Sequence, residues 1–227
     1  MKATFERPLA ERLEEFANKM TSVVSYPKRC SLWGDAAYRG NCDGRLFLGL
    51  VLRYTPARVA DPMMGSGTTR DVVKWLNTQA RTSIDYWGAD LRTGFNLHAH
   101  DLPGRYNLVW LHPPYWNMIR YSDDPADLST CDDYAAFIER LRVCLHRCYA
   151  AIEPGGRLAV LVGDVRRRGR YTPIVRDVLN MERELGQLCS VIVKAQHNCR
   201  SDSIAYSRML DVPIQHEYCV VFRKPER

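Results

Sequence analysis

The chain has 227 residues and a formal net charge of +6, set by 32 lysines and arginines against 26 aspartates and glutamates. With 46% hydrophobic and 26% charged residues it reads as one globular α/β domain, which excludes a disordered chain and leaves little length for a second full domain. Only 6 of the basic residues are lysines, and such an arginine surplus fits either phosphate recognition through the planar guanidinium fork or an arginine-biased codon usage.

No run reaches the roughly 18–20 apolar residues of a membrane span, and the N-terminal segment lacks the apolar core of a signal peptide. The eight cysteines (30, 42, 131, 144, 148, 189, 199 and 219) form no CxxC pair, which argues against a zinc ribbon or a thioredoxin-like site. Several sit in apolar runs, as in Leu188-Cys189 and Tyr218-Cys219-Val220. The expectation is reduced, mostly buried thiols in a cytoplasmic protein with no membrane partner.

In chain order, residues 8–20 read as an amphipathic helix with Leu9, Leu13, Phe16 and Met20 on one face. Residues 45–54 read as a second helix, and 58–60 as a short strand ending at Asp61. A helix over 68–76 follows a glycine loop, then a strand over 84–89 ends at Asp90. Residues 106–111 form an apolar strand ending at His112. A long helix over 132–152 is closed by the breaker Pro154-Gly155-Gly156, and an apolar strand covers 157–163. A helix over 173–184 begins at a proline, and strands over 188–195 and 217–222 complete the chain. This alternation, with strands that are apolar almost throughout, argues for a mostly parallel sheet covered by helices on both faces. Residues 1–34 are expected to form an N-terminal helical extension of the single domain. Ligands of such sheets sit beyond the carboxyl ends of the strands, so the residues just after each strand are the informative ones.

The first of these ends is Asp61-Pro62-Met63-Met64-Gly65-Ser66-Gly67-Thr68-Thr69. Its glycines allow a tight turn and close approach of the backbone to a ligand, and the following helix aims its free N–H groups at the same place. The GK[ST] ending of a phosphate P-loop is missing. Asp90 lies about 20 residues further on, at the spacing of a carboxylate that accepts hydrogen bonds from ribose hydroxyls, although a strand-end Asp can also be a plain helix cap. Asp101, before Pro103-Gly104, reads equally as a turn residue or as a group that reaches an adenine edge. The third end is Leu111-His112-Pro113-Pro114-Tyr115-Trp116. Two prolines stiffen the backbone and leave carbonyl acceptors free, and the aromatics offer a stacking plate, an arrangement that suits a flipped-out base with an exocyclic amine.

On these residues the chain resembles the S-adenosylmethionine-dependent DNA amino-methyltransferases, which methylate adenine N6 or cytosine N4. Asp61 to Thr69 resembles their cofactor motif, and His112 to Tyr115 their Asp/Asn/Ser-Pro-Pro-Tyr motif. Tyr38-Arg39-Gly40-Asn41 resembles the segment that closes over the methionine end of the cofactor. Gly163-Asp164-Val165-Arg166 and His216-Glu217 resemble later pieces, and the likeness covers roughly residues 35–225. It implies a Rossmann-like methyltransferase fold with a mostly parallel seven-stranded sheet. It implies S-adenosyl-L-methionine held by Tyr38, Gly40, Asn41, Asp61, Pro62, Met63, Gly65, Ser66, Gly67, Thr68, Thr69, Asp90, Leu91 and Asp101. Catalysis would fall to His112, Pro113, Pro114 and Tyr115, with no metal.

The family usually carries Asp, Asn or Ser where this chain has His112. A neutral imidazole can also accept a hydrogen bond from the target amine, whereas imidazolium cannot, so activity is expected to fall below about pH 6.5. The amine is a poor nucleophile because its lone pair is delocalised into the ring. Accepting its hydrogens makes it more nucleophilic, and alignment supplies most of the rest. The expected partner is DNA, with RNA second. Phosphate and base contacts are assigned to Trp116, Arg120, Arg166, Arg167, Arg168, Arg170 and Lys194, with further base-reading side chains over 196–208. Adenine N6 is the expected target, with cytosine N4, an RNA base or a protein glutamine as alternatives. A catalytically silent DNA-binding protein is the non-enzyme alternative. The oligomeric state stays open, a homodimer included.

Overall fold

The six strands expected from the sequence all form, and a seventh joins them. The computed structural model describes residues 8–197 and 210–226. In chain order the elements are α1 (Leu9–Asn18), β1 (Val23–Ser25), α2 (Gly44–Tyr54), β2 (Arg58–Asp61), α3 (Thr68–Gln79), β3 (Asp85–Gly88), β4 (Tyr106–Leu111) and α4 (Tyr134–Ala150). There follow β5 (Ile152–Val162), β6 (Val165–Arg167), β7 (Arg170–Thr172), α5 (Ile174–Leu179), α6 (Glu182–Leu185), β8 (Gln187–Ala195) and β9 (His216–Arg223). The sheet order is β1-β8-β9-β5-β4-β2-β3. All neighbours run parallel except β9, which is antiparallel to both β5 and β8.

Successive side chains of a strand point to opposite faces, so a fully apolar strand feeds two cores at once. Val109, Leu111, Leu158, Val160 and Val162 face α4 and α5, whereas Leu108, Trp110, Ala159 and Leu161 face α2 and α3. Leu13 and Phe16 of α1 pack on the second cluster. The helices begin where their caps allow. The Asp43 carboxylate accepts the Arg45 N–H at the start of α2, and Asp133 accepts the Ala136 N–H at the start of α4. Five cysteines (42, 131, 144, 148 and 219) are buried, but Cys189 is exposed, at the register shift between Leu188 and Ser190 that leaves it unpaired in β8.

Three expectations are corrected. First, the segment 1–34 is not purely helical: β1 pairs with β8 as a parallel edge strand, with Val23 opposite Val193. Second, Pro154-Gly155-Gly156 does not break the chain between helix and strand. It is a bulge inside β5, where the register with β4 jumps from Tyr106–Ile152 to Leu108–Arg157. The C-terminal segment satisfies the displaced backbone: the Gly155 N–H donates to the Lys224 carbonyl and the Lys224 N–H to the Gly156 carbonyl, both at 3.0 Å. Third, the helix over 173–184 is two short helices, because the turn at Asn180-Met181 drops Met181 and Leu185 into the core. The basic run after β5, whose arginines are assigned to phosphate contacts, is a hairpin, β6–β7, with Arg168 and Gly169 both left-handed (φ 50° and 79°) as its two-residue turn requires.

After β2 the chain moves outward to β3 and then returns to place β4 on the other side of β2. The crevice beyond the carboxyl ends of β2 and β4 is therefore the switch point where doubly wound sheets bind ligands.

Candidate active site

A cavity of about 550 Å³ opens at this switch point. Its wall on the β2 side grows out of one short run of sequence. Buried Asp61 accepts the Met63 N–H at 3.2 Å through one oxygen and the Thr69 hydroxyl through the other. Thr69 Oγ1 also lies 2.9 Å from the Tyr86 hydroxyl. Burial pushes the Asp61 carboxyl up to about 7, the bonds from Thr69 and Met63 pull against that, and Asp90 adds to the rise. Gly65 and Gly67 are both left-handed (φ 54° and 85°), and a Cβ on Gly65 would meet the Tyr38 ring at 3.1 Å. Here the backbone needs glycine for both torsion and space.

The segment around Tyr38 is tied across this loop. The Gly34 N–H donates to Asp71 at 3.0 Å and the Asp35 N–H to the Ser66 hydroxyl at 3.3 Å. The Thr68 hydroxyl donates to the Asn41 side-chain carbonyl at 2.5 Å. Tyr38 stacks on Tyr121 with ring centroids 6.1 Å apart, which joins the strap to the polar loop that follows the catalytic-type motif. Nothing local in the sequence marks Tyr121 as a residue of the site. Asp90 caps its own turn by accepting the Arg92 and Thr93 N–H groups, and the Arg92 guanidinium lies 3.2 Å from its second oxygen.

On the β4 side stands a chain of polar groups. His112 Nε2 lies 3.0 Å from the Tyr115 hydroxyl, which donates to Glu217 at 2.7 Å. The Lys194 ammonium donates to the other Glu217 oxygen, and the Gln196 amide to the first at 3.2 Å. Burial works against the Glu217 charge, but Lys194, His112 and the Tyr115 bond outweigh it and hold the carboxyl below its usual range. Burial pushes the His112 imidazole down to about 4; Glu217 opposes the shift and Lys194 reinforces it. The expected loss of a neutral His112 below about pH 6.5 is thereby corrected: in this setting the ring stays neutral well below that value.

Of the expected cofactor residues, Tyr38, Gly40, Asn41, Pro62, Met63, Ser66, Thr68 and Leu91 line the cavity together with Asp61, Gly65, Thr69 and Asp90. Gly67 shapes the turn behind it. Asp101 lies elsewhere, exposed and paired with Arg147. His112 and Pro114 line the same cavity, whereas Pro113 is buried behind it and Tyr115 stands in the polar chain.

The expected nucleic-acid contacts fare differently from one another. Trp116 does not present a free stacking face: its indole N–H donates to the Cys131 carbonyl at 2.8 Å and its ring packs edge-on against Tyr134. Lys194 is buried against Glu217 and cannot reach a groove. Arg166 is mostly covered and paired with Asp211, and exposed Arg120 is paired with Asp123. Arg167, Arg168 and Arg170 are exposed on the hairpin and make no ion pair among the described residues. The hairpin leaves the carboxyl end of β5, the same end of the sheet as the cavity. The expected readers at 198–208 lie outside the described residues. Glu217 shows one usable signal in the sequence, a carboxylate at the start of a strand whose next residues, Tyr218 to Phe222, are apolar or aromatic, so that it must find a buried partner. Among the described residues no cluster of metal-ligating side chains occurs, and no helix is long and apolar enough to cross a membrane.

No family model and no curated protein matches the chain. Among solved structures it is similar to a candidate DNA modification methylase from Thermus thermophilus complexed with S-adenosyl-L-methionine, at 29% identity over 57% of this chain and 51% of that one, with a TM-score of 0.39. It is also similar to TrmN from Thermus thermophilus, at 16% identity over 97% of this chain and 55% of that one, with a TM-score of 0.42. A third is the N-methyltransferase NodS from Bradyrhizobium japonicum in complex with S-adenosyl-L-homocysteine, at 11% identity over 75% of this chain and 79% of that one, with a TM-score of 0.41. The chain spans about half the length of the first two.

Proposed function

We propose that this protein transfers a methyl group from S-adenosyl-L-methionine to the exocyclic amine of a base in DNA, adenine N6 first. The observation that carries the reading is that one cavity is lined both by the glycine-loop residues and by His112 and Pro114. A donor held on one wall and an amine presented at the other would meet inside it.

The residues fit the cofactor. Asp61 is a buried carboxyl with no cation beside it among the described residues, and burial pushes it up to about 7, so a bound ammonium group would draw it into its charged form. Asp90 lines the cavity, and its second oxygen, 3.2 Å from the Arg92 guanidinium, has lone pairs left to accept from ribose hydroxyls. Ser66 and Thr68 add hydroxyls, and Phe95 and Leu97 add an apolar wall for a base. When bound, the cofactor supplies a methyl group already activated by a sulfonium.

The protein's own work is alignment and hydrogen-bond acceptance. Neutral His112, which lines the cavity together with Pro114, accepts a hydrogen of the target amine. Holding those hydrogens localises the lone pair on nitrogen. The exposed arginines at 167, 168 and 170 supply positive charge for backbone phosphates on the same rim. The test has two stages. Calorimetry should show S-adenosyl-L-methionine and its demethylated product binding at one site. Methyl label should then pass to double-stranded DNA and appear as N6-methyladenine on nucleoside digestion. Label in cytosine would change the base assigned, label in RNA or protein alone would replace the substrate, and no cofactor binding would end the reading.

A further inference from the structure

The polar chain behind His112 has a direction, and that direction decides which imidazole nitrogen carries the hydrogen. Glu217 lies at the start of β9 and is almost wholly buried, at 4% exposure. One of its oxygens accepts from Lys194, a group that can only donate. The other accepts from the Tyr115 hydroxyl at 2.7 Å and the Gln196 amide at 3.2 Å. Tyr115 has a single hydroxyl hydrogen, and it is spent on Glu217. Its oxygen, 3.0 Å from His112 Nε2, is therefore left as an acceptor, and the hydrogen between them must belong to the histidine. A neutral imidazole that carries its hydrogen on Nε2 has a bare lone pair on Nδ1. Nδ1 has no hydrogen-bond partner among the described residues, and His112 lines the cavity.

We infer that Glu217, held by Lys194 and acting through Tyr115, is a positioning residue that locks His112 in the Nε2–H tautomer and so presents Nδ1 as the acceptor for the target amine. The presentation to an amine rests on the functional reading above; the tautomer lock does not. The groups that face His112 are Tyr115 from its own turn, Glu217 from β9 and Lys194 from β8. The packing around the relay is close. Gly163, just after β5, lies against the Tyr115 ring, where a Cβ would come within 2.6 Å of the ring edge. Tyr115 thus has little freedom to turn its hydroxyl elsewhere.

Glu217→Gln should reverse the relay. The amide oxygen must stay on the Lys194 ammonium, so the amide nitrogen takes the position facing Tyr115. Tyr115 then accepts from Gln and turns its own hydrogen to His112 Nε2, which forces the imidazole hydrogen onto Nδ1. The imidazole nitrogens of labelled protein, observed by two-bond nitrogen–proton correlation NMR near neutral pH without cofactor, report the tautomer directly. The wild type should show His112 as Nε2–H and the variant as Nδ1–H. With saturating cofactor, kcat of the variant should fall on the order of 10³-fold or more, the scale seen when a catalytic imidazole is held in the wrong tautomer, while cofactor affinity stays within about twofold. Wild-type His112 found as Nδ1–H overturns the lock without any variant, and so does a variant that keeps Nε2–H. A wild type in the Nε2–H form that transfers no methyl group to any nucleic acid leaves the lock standing and overturns the functional reading instead.

Discussion

The two walls of the cavity are built on different principles. The β2 wall is local: Asp61 and Thr69, which hydrogen-bond each other, are eight positions apart. The β4 wall is assembled from afar: Tyr115 and Glu217 are 102 positions apart, and Lys194 comes from yet another strand. The walls also differ in charge. The β2 wall holds a carboxyl with no cation beside it among the described residues, pushed up to about 7, whereas the β4 wall holds a carboxylate kept charged by a buried lysine and an imidazole pushed down to about 4. An acid on one wall that can gain a charge suits a cationic ligand. A neutral acceptor on the other suits an amine that must not be protonated. On the proposed function, the difference implies that cofactor binding and methyl transfer can be damaged separately.

Loss of the acceptor itself tests that separation. His112→Ala should lower methyl transfer on the order of 10³-fold, the usual cost of removing one preorganised hydrogen-bonding group, while cofactor affinity measured by calorimetry changes less than about threefold. Equal losses in both would show that the walls are not independent. Asp61→Asn should do the reverse, weakening cofactor affinity about tenfold to a hundredfold through loss of a charge-assisted bond. The same variant has a stability signature. Folded Asp61 keeps its proton up to about pH 7, whereas the unfolded carboxyl loses it near 3.8. Between those values the folded chain binds more protons, so cofactor-free stability falls as pH rises across that window. Thermal denaturation of Asp61→Asn should lack this decline.

Reversing the charges of Arg167 and Arg168 together should weaken DNA binding about tenfold at all sequences alike and reduce the slope of log K against log salt by about two. An unchanged slope in a filter-binding or anisotropy series would remove the hairpin from the interface. The smallest effect is one of pH. With saturating cofactor, kcat should stay level from about pH 8 to about 5.5 and decline only towards the His112 value near 4. Cofactor affinity, in contrast, should rise with pH through about 7 as Asp61 ionises. One shared pH profile for both quantities would blur the contrast between the walls.

Legibility follows the same division. The glycine loop could be read because its turn, its caps and its carboxylate are neighbours in sequence and answer to local torsional rules. The apolar strands could be read because burial on both faces leaves an unbroken hydrophobic run. β1 could not, since three residues show no periodicity and owe their pairing to β8. Pro154-Gly155-Gly156 read as a stop because its backbone partners lie in the C-terminal segment. Arg166 to Arg170 read only as a cluster of positive charge, and the hairpin turn at Arg168 and Gly169 emerges in the structure. Trp116 and Lys194 read as surface groups because residue type suggests a role but says nothing of burial. Trp116 spends its ring on Tyr134 and Lys194 its charge on Glu217.

By itself, then, the sequence determined the alternation of strands and helices, the glycine loop with its carboxylate, and the His112-Pro-Pro-Tyr115 turn, all set by torsion, capping and hydrophobic runs within short stretches. Tertiary structure alone decided that these two motifs share one cavity, that Lys194 lies beneath the site instead of on its rim, and that His112 is neutral far below its ordinary range. Those outcomes depend on desolvation and on hydrogen bonds between distant strands. A charge buried beside its partner behaves according to what surrounds it in space, and chain order does not carry that information.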